Sequence, residues 1–426
     1  MGKTVLKNIE WLGSDNRVHQ GDIGIDNDVI VAAGTLDSNW QPDRIIDGTN
    51  KLAVPGFINT HTHAAMTLFR SYADDMQLMD WLQNKIWPAE AKLEQDDIYW
   101  GTLLAIAEMI KTGTTTFADM YFSMQEIARA VEESGIRAVL ARGMAGVTPN
   151  AEQALLESET FFKEYHNSCD GRITVMLAPH APYTCPPPYL KKVVQLAEKL
   201  GAEIHTHLSE TAGEVEDCLK EYGASPIALM EEVGLLAHGV LAAHCVHVSL
   251  QDIEIMRERN VRVAHNPGSN LKLASGIAPV PQMLAAGICV GLGTDGAASN
   301  NNLDMLEETR LAALVHKANT GDPLAVPAAF ALQMATANGA FALGLGDRTG
   351  KLDTGCKADI TIFDIQAPHW YPRHDRLSLL TYAASAGDVH TVIVNGRILM
   401  ENRRLTTLDE ERIYAECQAR GMRLCR

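Results

Sequence analysis

The sequence predicts an α/β protein, a (β/α)8 TIM-like barrel carrying a small β-sandwich domain built from both chain ends. Three observations carry this reading. Apolar, β-rich runs recur eight times between about Val54 and Leu345, separated by stretches long enough for crossover helices. Eight strands, each followed by a helix, is the arithmetic of a closed parallel barrel. The runs are apolar on both faces, as strands covered by helices must be. Both chain ends read instead as short strands and turns, so residues 1–54 and 350–426 are expected to meet in one composite β-domain. Residues 55–349 are then the barrel.

The elements follow in order. Near the start, Val5, Ile9 and Trp11 fall on one alternating set, and 21–25 and 28–34 look like strand-and-turn units. The eight barrel runs are 56–63, 114–120, 137–143, 173–180, 203–208, 240–244, 261–266 and 288–294. Segments such as 186–201 and 249–260 between them suit crossover helices. After the barrel, 358–364 and 389–397 return to a strand pattern, and the chain from Asp409 is helical in composition.

Composition narrows the function classes. The 426 residues hold 36 Lys and Arg against 53 Asp and Glu, a formal charge of −17, which argues against nucleic acid as the main partner. No run approaches the roughly 18 apolar residues of a membrane span, and the start lacks the apolar core of a signal peptide. The eight cysteines are scattered without a C-x-x-C pair, as reduced thiols of a cytoplasmic protein would be. The stretch 291–296 fits G-x-G-x-x-G, but strand eight is the wrong place for an opening βαβ nucleotide unit. There is no H-x-E…P-C-x-x-C set, which excludes a cytidine-deaminase type of zinc site.

Polar residues cluster at the carboxyl ends of the barrel runs, the face where such barrels build their sites. They are His61 and His63, Asp119, Arg142, His180, then His205, His207 and Glu210, then His244 and His247, His265, and Asp295. In His61-Thr62-His63 the two rings lie at i and i+2 of a strand and point to one side. Alone they read equally as interior histidines bonded to neighbours. With His207 and Asp295 on strands five and eight, three nitrogens and a carboxylate suit one zinc with an open position for water.

Residues 54–63 (VPGFINTHTH), 203–210 (EIHTHLSE), 243–247 (AHCVH) and 293–296 (GTDG) resemble, in order, the motifs of the amidohydrolase superfamily. The resemblance covers nearly the whole chain and is closest to the 5-methylthioadenosine/S-adenosylhomocysteine deaminases. Guanine deaminases and chlorotriazine hydrolases are neighbouring branches. It implies His61, His63, His207 and Asp295 as metal ligands, Glu210 as proton carrier and His244 beside the metal-bound water. Glu90, Arg142 and His180 match substrate-contacting positions, with Glu210 and Asp295 also facing substrate. His205 and His247 match no assigned role and read as structural. Binuclear members carry a bridging lysine at the end of strand four; residues 175–180 contain none, so one zinc per chain is expected.

The implied activity is hydrolytic deamination of methylthioadenosine and S-adenosylhomocysteine, with adenosine itself a candidate, to an inosyl product and ammonia. Guanine deamination and chlorotriazine hydrolysis are the rival readings within the same site. An inactive assembly protein is the rival from another class, and the full ligand set argues against it. A small-molecule substrate, no membrane partner and a homo-oligomer are expected. Met66, Phe69, Trp81 and Trp87 follow strand one, where they serve either the core or a cover over the substrate.

Overall fold

A computed structural model describes residues 2–37 and 39–426; Met1 and Ser38 of the amino-terminal segment lie outside the described residues. All eight barrel runs form strands: Phe57–Thr62, Thr114–Tyr121, Arg137–Met144, Ile173–Pro179, Ile204–Leu208, Val240–His244, Arg262–His265 and Val290–Leu292. They pair in parallel in sequence order. Every residue of Thr114–Tyr121 is buried, as a strand with helices behind it and the barrel interior in front requires. Alternation splits each strand between two cores. Val139, Ala141, Met176, Ala178, Leu241 and Ala243 meet inside the barrel, while Ala138, Leu140, Leu177 and Ala242 face the helices.

The seam between the first and last strands closes largely through side chains. Thr60 Oγ1 donates to Leu292 O at 2.8 Å, and Asn59 Nδ2 donates to Thr294 Oγ1 at 2.7 Å. Asp295 N donates to His61 O at 2.9 Å, so two residues central to the site are tied together through the backbone.

The sandwich expected from the chain ends takes the form of one hydrogen-bonded mixed sheet of nine strands. Its halves join where Lys51–Pro55 runs antiparallel to Ile360–Asp364. One hairpin in it turns at Asn395-Gly396, both at positive φ, as a two-residue type I′ turn demands. A Cβ on Gly396 would sit 1.8 Å from Asn27 O, so no other residue fits. The sheet docks on the barrel through a buried pair: Arg137 Nε donates to Asp359 Oδ2 at 2.7 Å, and Asn395 and Thr349 complete the network. The expected last helix is Glu410–Leu424, packed on Gln95–Lys111, with Arg420 donating to Asp97 at 2.8 Å. Among the described residues all eight cysteines are free, and no helix is long and apolar enough to cross a membrane.

Candidate metal centre and active site

Strand geometry brings four donor atoms to the carboxyl end of the barrel. His63 Nε2 lies 3.3 Å from His207 Nε2. Asp295 Oδ1 lies 3.5 Å from His61 Nε2 and 3.4 Å from His63 Nε2. His207 comes from the interior-facing set of strand five. His244 and Asp295 arrive differently. Leu241 and Ala243 take the interior face of strand six, so simple alternation would turn His244 outward. Positive φ values of 74° at His244 and 47° at Cys245 break the alternation and swing the ring to 5.5 Å from that of His207. Asp295 has φ 63°. Left-handed backbone at non-glycine residues costs free energy, and it concentrates here where the side chains converge.

The hydrogen bonds around these groups set them up for a cation. His63 Nδ1 donates to Met120 O at 2.6 Å, and His207 Nδ1 donates to His180 O at 2.8 Å. A carbonyl can only accept, so each Nδ1 carries a proton, which turns Nε2 of the neutral ring towards the cluster as the ligating nitrogen. His61 Nδ1 contacts His205 Nε2 at 2.9 Å, and His61 Nε2 is buried with no hydrogen-bond partner. Burial pushes the His61 ring down to about 4, and His207 falls well below its ordinary value for the same reason. Burial would raise Asp295, but the surrounding histidines, His61 foremost, hold it well below the usual carboxylate range. Three imidazole nitrogens and one carboxylate oxygen, one nitrogen orphaned, make a divalent-metal site. Two overlapping sets lie within 4.8 Å, His61 with His63 and Asp295, and His61 with His207 and His244. His244 differs from the other histidines in its surroundings: its Nδ1 is 2.8 Å from Asn270 Oδ1, and its Nε2 is 3.9 Å from Glu210 Oε2.

A cavity of about 460 Å³ opens over this cluster, within the range of small-ligand sites. Its wall includes His63, His207, Glu210, His244 and Asp295, and also Glu90 and His180. Burial raises Glu210 above the ordinary glutamate value. Burial also pushes His244 down, but the charges of Glu210 and Asp295 outweigh it and leave the imidazole above its usual value. Glu90, likewise raised by burial, accepts a hydrogen bond from Tyr121 OH at 2.6 Å. His180 is driven down to about 4 by burial, and its Nδ1 lies 2.9 Å from Thr184 Oγ1.

A family model for the amidohydrolase family matches residues 52–399. The chain belongs to the amidohydrolase family. Among its relatives, a protein of Pelotomaculum thermopropionicum named 5-methylthioadenosine/S-adenosylhomocysteine deaminase is 56% identical over 426 residues, 99% of this chain and 98% of the relative. A protein of the same name from Dictyoglomus thermophilum is 54% identical over 422 residues, 99% of each. A zinc-bound crystal structure of an adenosine deaminase from Xanthomonas campestris superposes with a TM-score of 0.95 at 35% identity, covering 99% of this chain and 98% of that one. A zinc complex of atrazine chlorohydrolase from Arthrobacter aurescens gives a TM-score of 0.91 at 27% identity, covering 98% and 100%.

Within this amidohydrolase, one sequence-derived candidate lies apart from the rest. Arg142 shares the helix-facing side of its strand with Ala138 and Leu140. Its Nε and Nη2 donate to Glu157 Oε2 at 3.0 and 2.9 Å, and the cavity wall is formed by Gly143 and Met144 instead. Met66, Trp81 and Trp87 line the cavity; Phe69 is buried in the core. His247 Nε2 donates to Ser275 O at 2.7 Å, and His265 Nε2 lies 3.1 Å from His316 Nε2.

Several groups went unnoticed in the sequence. Asp295 Oδ2 accepts from Ser269 Oγ at 2.6 Å and Ser299 Oγ at 2.8 Å, and Oδ1 accepts from Gly296 N at 2.8 Å. Ser269 and Asn270 come from the segment 266–270, NPGSN, whose dense turn and amide residues at a strand end were the available signal. Tyr121 and Tyr183 also line the cavity; neither stands out by spacing from an ordinary core aromatic.

Proposed function

We propose that this chain is a zinc-dependent deaminase of adenosine thioethers, converting methylthioadenosine and S-adenosylhomocysteine, and adenosine itself, to the inosyl product and ammonia. The observation that carries the proposal is the convergence of the four donor atoms at one cavity whose wall brings His63, His207 and Asp295 together with Glu210, His244 and Glu90. The names borne by relatives at 54–56% identity over nearly the full chain support the same reading. His61, His63, His207 and Asp295 would hold the ion, which when bound supplies a Lewis acid able to bring the pKa of its water from 15.7 to about 7.

The chain's own groups do the rest. Glu210, whose carboxyl burial raises above the ordinary glutamate value, gives a proton to ring N1 and so makes C6 more electrophilic. His244 Nε2 faces the attacking oxygen and stabilises the charge that develops there. Asp295 takes a proton from the attacking water and returns it to the departing amine. The C6–O bond forms, the C6–N bond breaks, and the remaining hydroxyl proton passes back to Glu210, so that water and the amine end as carbonyl oxygen and ammonia. Glu90 accepts hydrogen bonds from the ribose hydroxyls, and His180 bonds the ribose or a ring nitrogen. Arg142 takes the carboxylate of S-adenosylhomocysteine in exchange for Glu157. The proposal extends to a cytoplasmic homo-oligomer, and to a division into the barrel 55–349 and a β-domain from 1–54 and 350–426.

An ammonia-release screen tests it. Methylthioadenosine and S-adenosylhomocysteine should exceed free adenine, guanine and cytosine in kcat/KM by on the order of 10²-fold or more, since ribose contacts are available only to nucleosides. Faster ammonia release from guanine, or chloride release from a chlorotriazine followed alongside, would reassign the substrate. No turnover of any of them by the metal-loaded chain would leave the assembly-protein reading.

A further inference from the structure

Glu214 holds the chain around Glu210 in an unusual way. It stands at the third position of the helix Ala212–Tyr222, whose N-cap Thr211 accepts the Glu214 N–H at 3.1 Å. A glutamate at that position ordinarily closes a capping box on the N–H of the cap residue itself. Glu214 reaches past it. Its Oε1 accepts the Ser209 N–H and its Oε2 the Glu210 N–H, both at 2.8 Å. Ser209 has a left-handed backbone, φ 53°, so the strand-to-helix corner that carries Glu210 is strained and needs fixing. The Glu210 carboxylate itself accepts no hydrogen bond among the described residues, so its aim depends on this corner. Glu214 is buried and takes no part in the chemistry assigned above.

We propose that Glu214 is a positioning residue for deamination: its carboxylate clamps the two N–H groups at Ser209 and Glu210 and thereby aims the Glu210 side chain at the substrate ring nitrogen. This rests on the reading of Glu210 as the proton carrier. Glutamine at 214 keeps the shape, but its amide N–H₂ faces one of the two backbone donors, so one arm of the clamp opens. Small misplacements of a reacting group cost on the order of 10²-fold in rate.

The test is a double-mutant cycle on methylthioadenosine with Glu214→Gln, Glu210→Gln and the double variant, with metal content measured for each. Glu214→Gln should lower kcat by about 10-fold or more, with little change in KM and full metal content. In the Glu210→Gln background the same change should cost less than about twofold, because no proton transfer is left to aim. Should Glu214→Gln fold poorly, Glu214→Asp retains the charge, shortens the reach and should give the same loss confined to kcat. Parental kcat in the folded variants, loss of metal, or fully multiplicative losses in the double variant would overturn the proposal. Parental turnover by Glu210→Gln would remove the proton-carrier reading as well. The two failures are told apart by which single variant keeps its activity.

Discussion

His205 Nε2 lies 2.9 Å from His61 Nδ1, and both rings are fully buried in the barrel. The contact leaves His61 Nε2 pointing at the donor cluster with its lone pair free. His205, which sequence alone assigns no part, therefore orients a candidate ligand. His205→Phe removes that partner while filling the space. It should weaken metal binding by roughly 10–100-fold, the usual cost of losing such a support. A competition titration against a chelator reads this directly, and parental affinity would dismiss the orienting role.

Tyr121 is the hydrogen-bond donor that holds Glu90, at 2.6 Å, and burial raises the Glu90 carboxyl. Tyr121→Phe should lower kcat/KM for nucleosides by about 1–2 kcal/mol, and Glu90→Ala by about 1–3 kcal/mol, the scale of buried polar groups left unpaired. Both losses should vanish on a substrate lacking ribose hydroxyls. Equal losses with and without the hydroxyls would mean that Glu90 is structural.

The Arg142–Glu157 pair gives a prediction of opposite signs. Arg142→Met should raise KM for S-adenosylhomocysteine by about 10-fold or more and leave methylthioadenosine, which has no carboxylate, nearly unchanged. Glu157→Gln frees the guanidinium and should lower KM for S-adenosylhomocysteine. If Arg142→Met harms both substrates alike, the arginine serves the strand and not the ligand.

His316 contributes to the pH dependence of stability, together with the other buried histidines held below their ordinary value. Burial drives its ring down to about 4, and its Nε2 faces His265 Nε2 at 3.1 Å. The unfolded chain takes up a proton at its ordinary value of about 6.5, while the folded ring stays neutral. Between those values the unfolded state binds more protons, so stability is present above about 6.5 and is lost as pH falls towards 4. Denaturant midpoints measured across that window should fall less steeply for His316→Gln than for the parent. Parallel curves would show that another group carries the acid sensitivity.

Much of this was legible along the chain because strand ends are marked by abrupt changes from apolar to polar. His61, His63, His180 and His207 all follow apolar runs, and each run forms a strand. Arg142 was harder. It ends a strand as the others do, but the strand's alternation sets Val139 and Ala141 inside the barrel and puts Arg142 on the helix side. At this strand end Gly143 and Met144 take the cavity wall, while the Arg142 guanidinium is drawn away to Glu157. His244 runs the other way, since only its backbone at φ 74° brings it inward. Glu214 carries no site signal in the sequence, since a glutamate three residues after a threonine has the spacing of an ordinary helix cap; its reach back to Ser209 and Glu210 belongs to the corner's backbone, which no spacing rule encodes.

The central claim is that one divalent ion, held by His61, His63, His207 and Asp295, enables deamination of an adenosine thioether. The most direct measurement strips the protein with a chelator, verifies metal removal by elemental analysis, and titrates zinc back while following ammonia release from methylthioadenosine. The account predicts no activity in the stripped chain and a linear return that ends at about one zinc per chain, the stoichiometry of a single four-ligand site. Activity in the verified metal-free chain, or a return that ends only at about two zinc per chain, would contradict it.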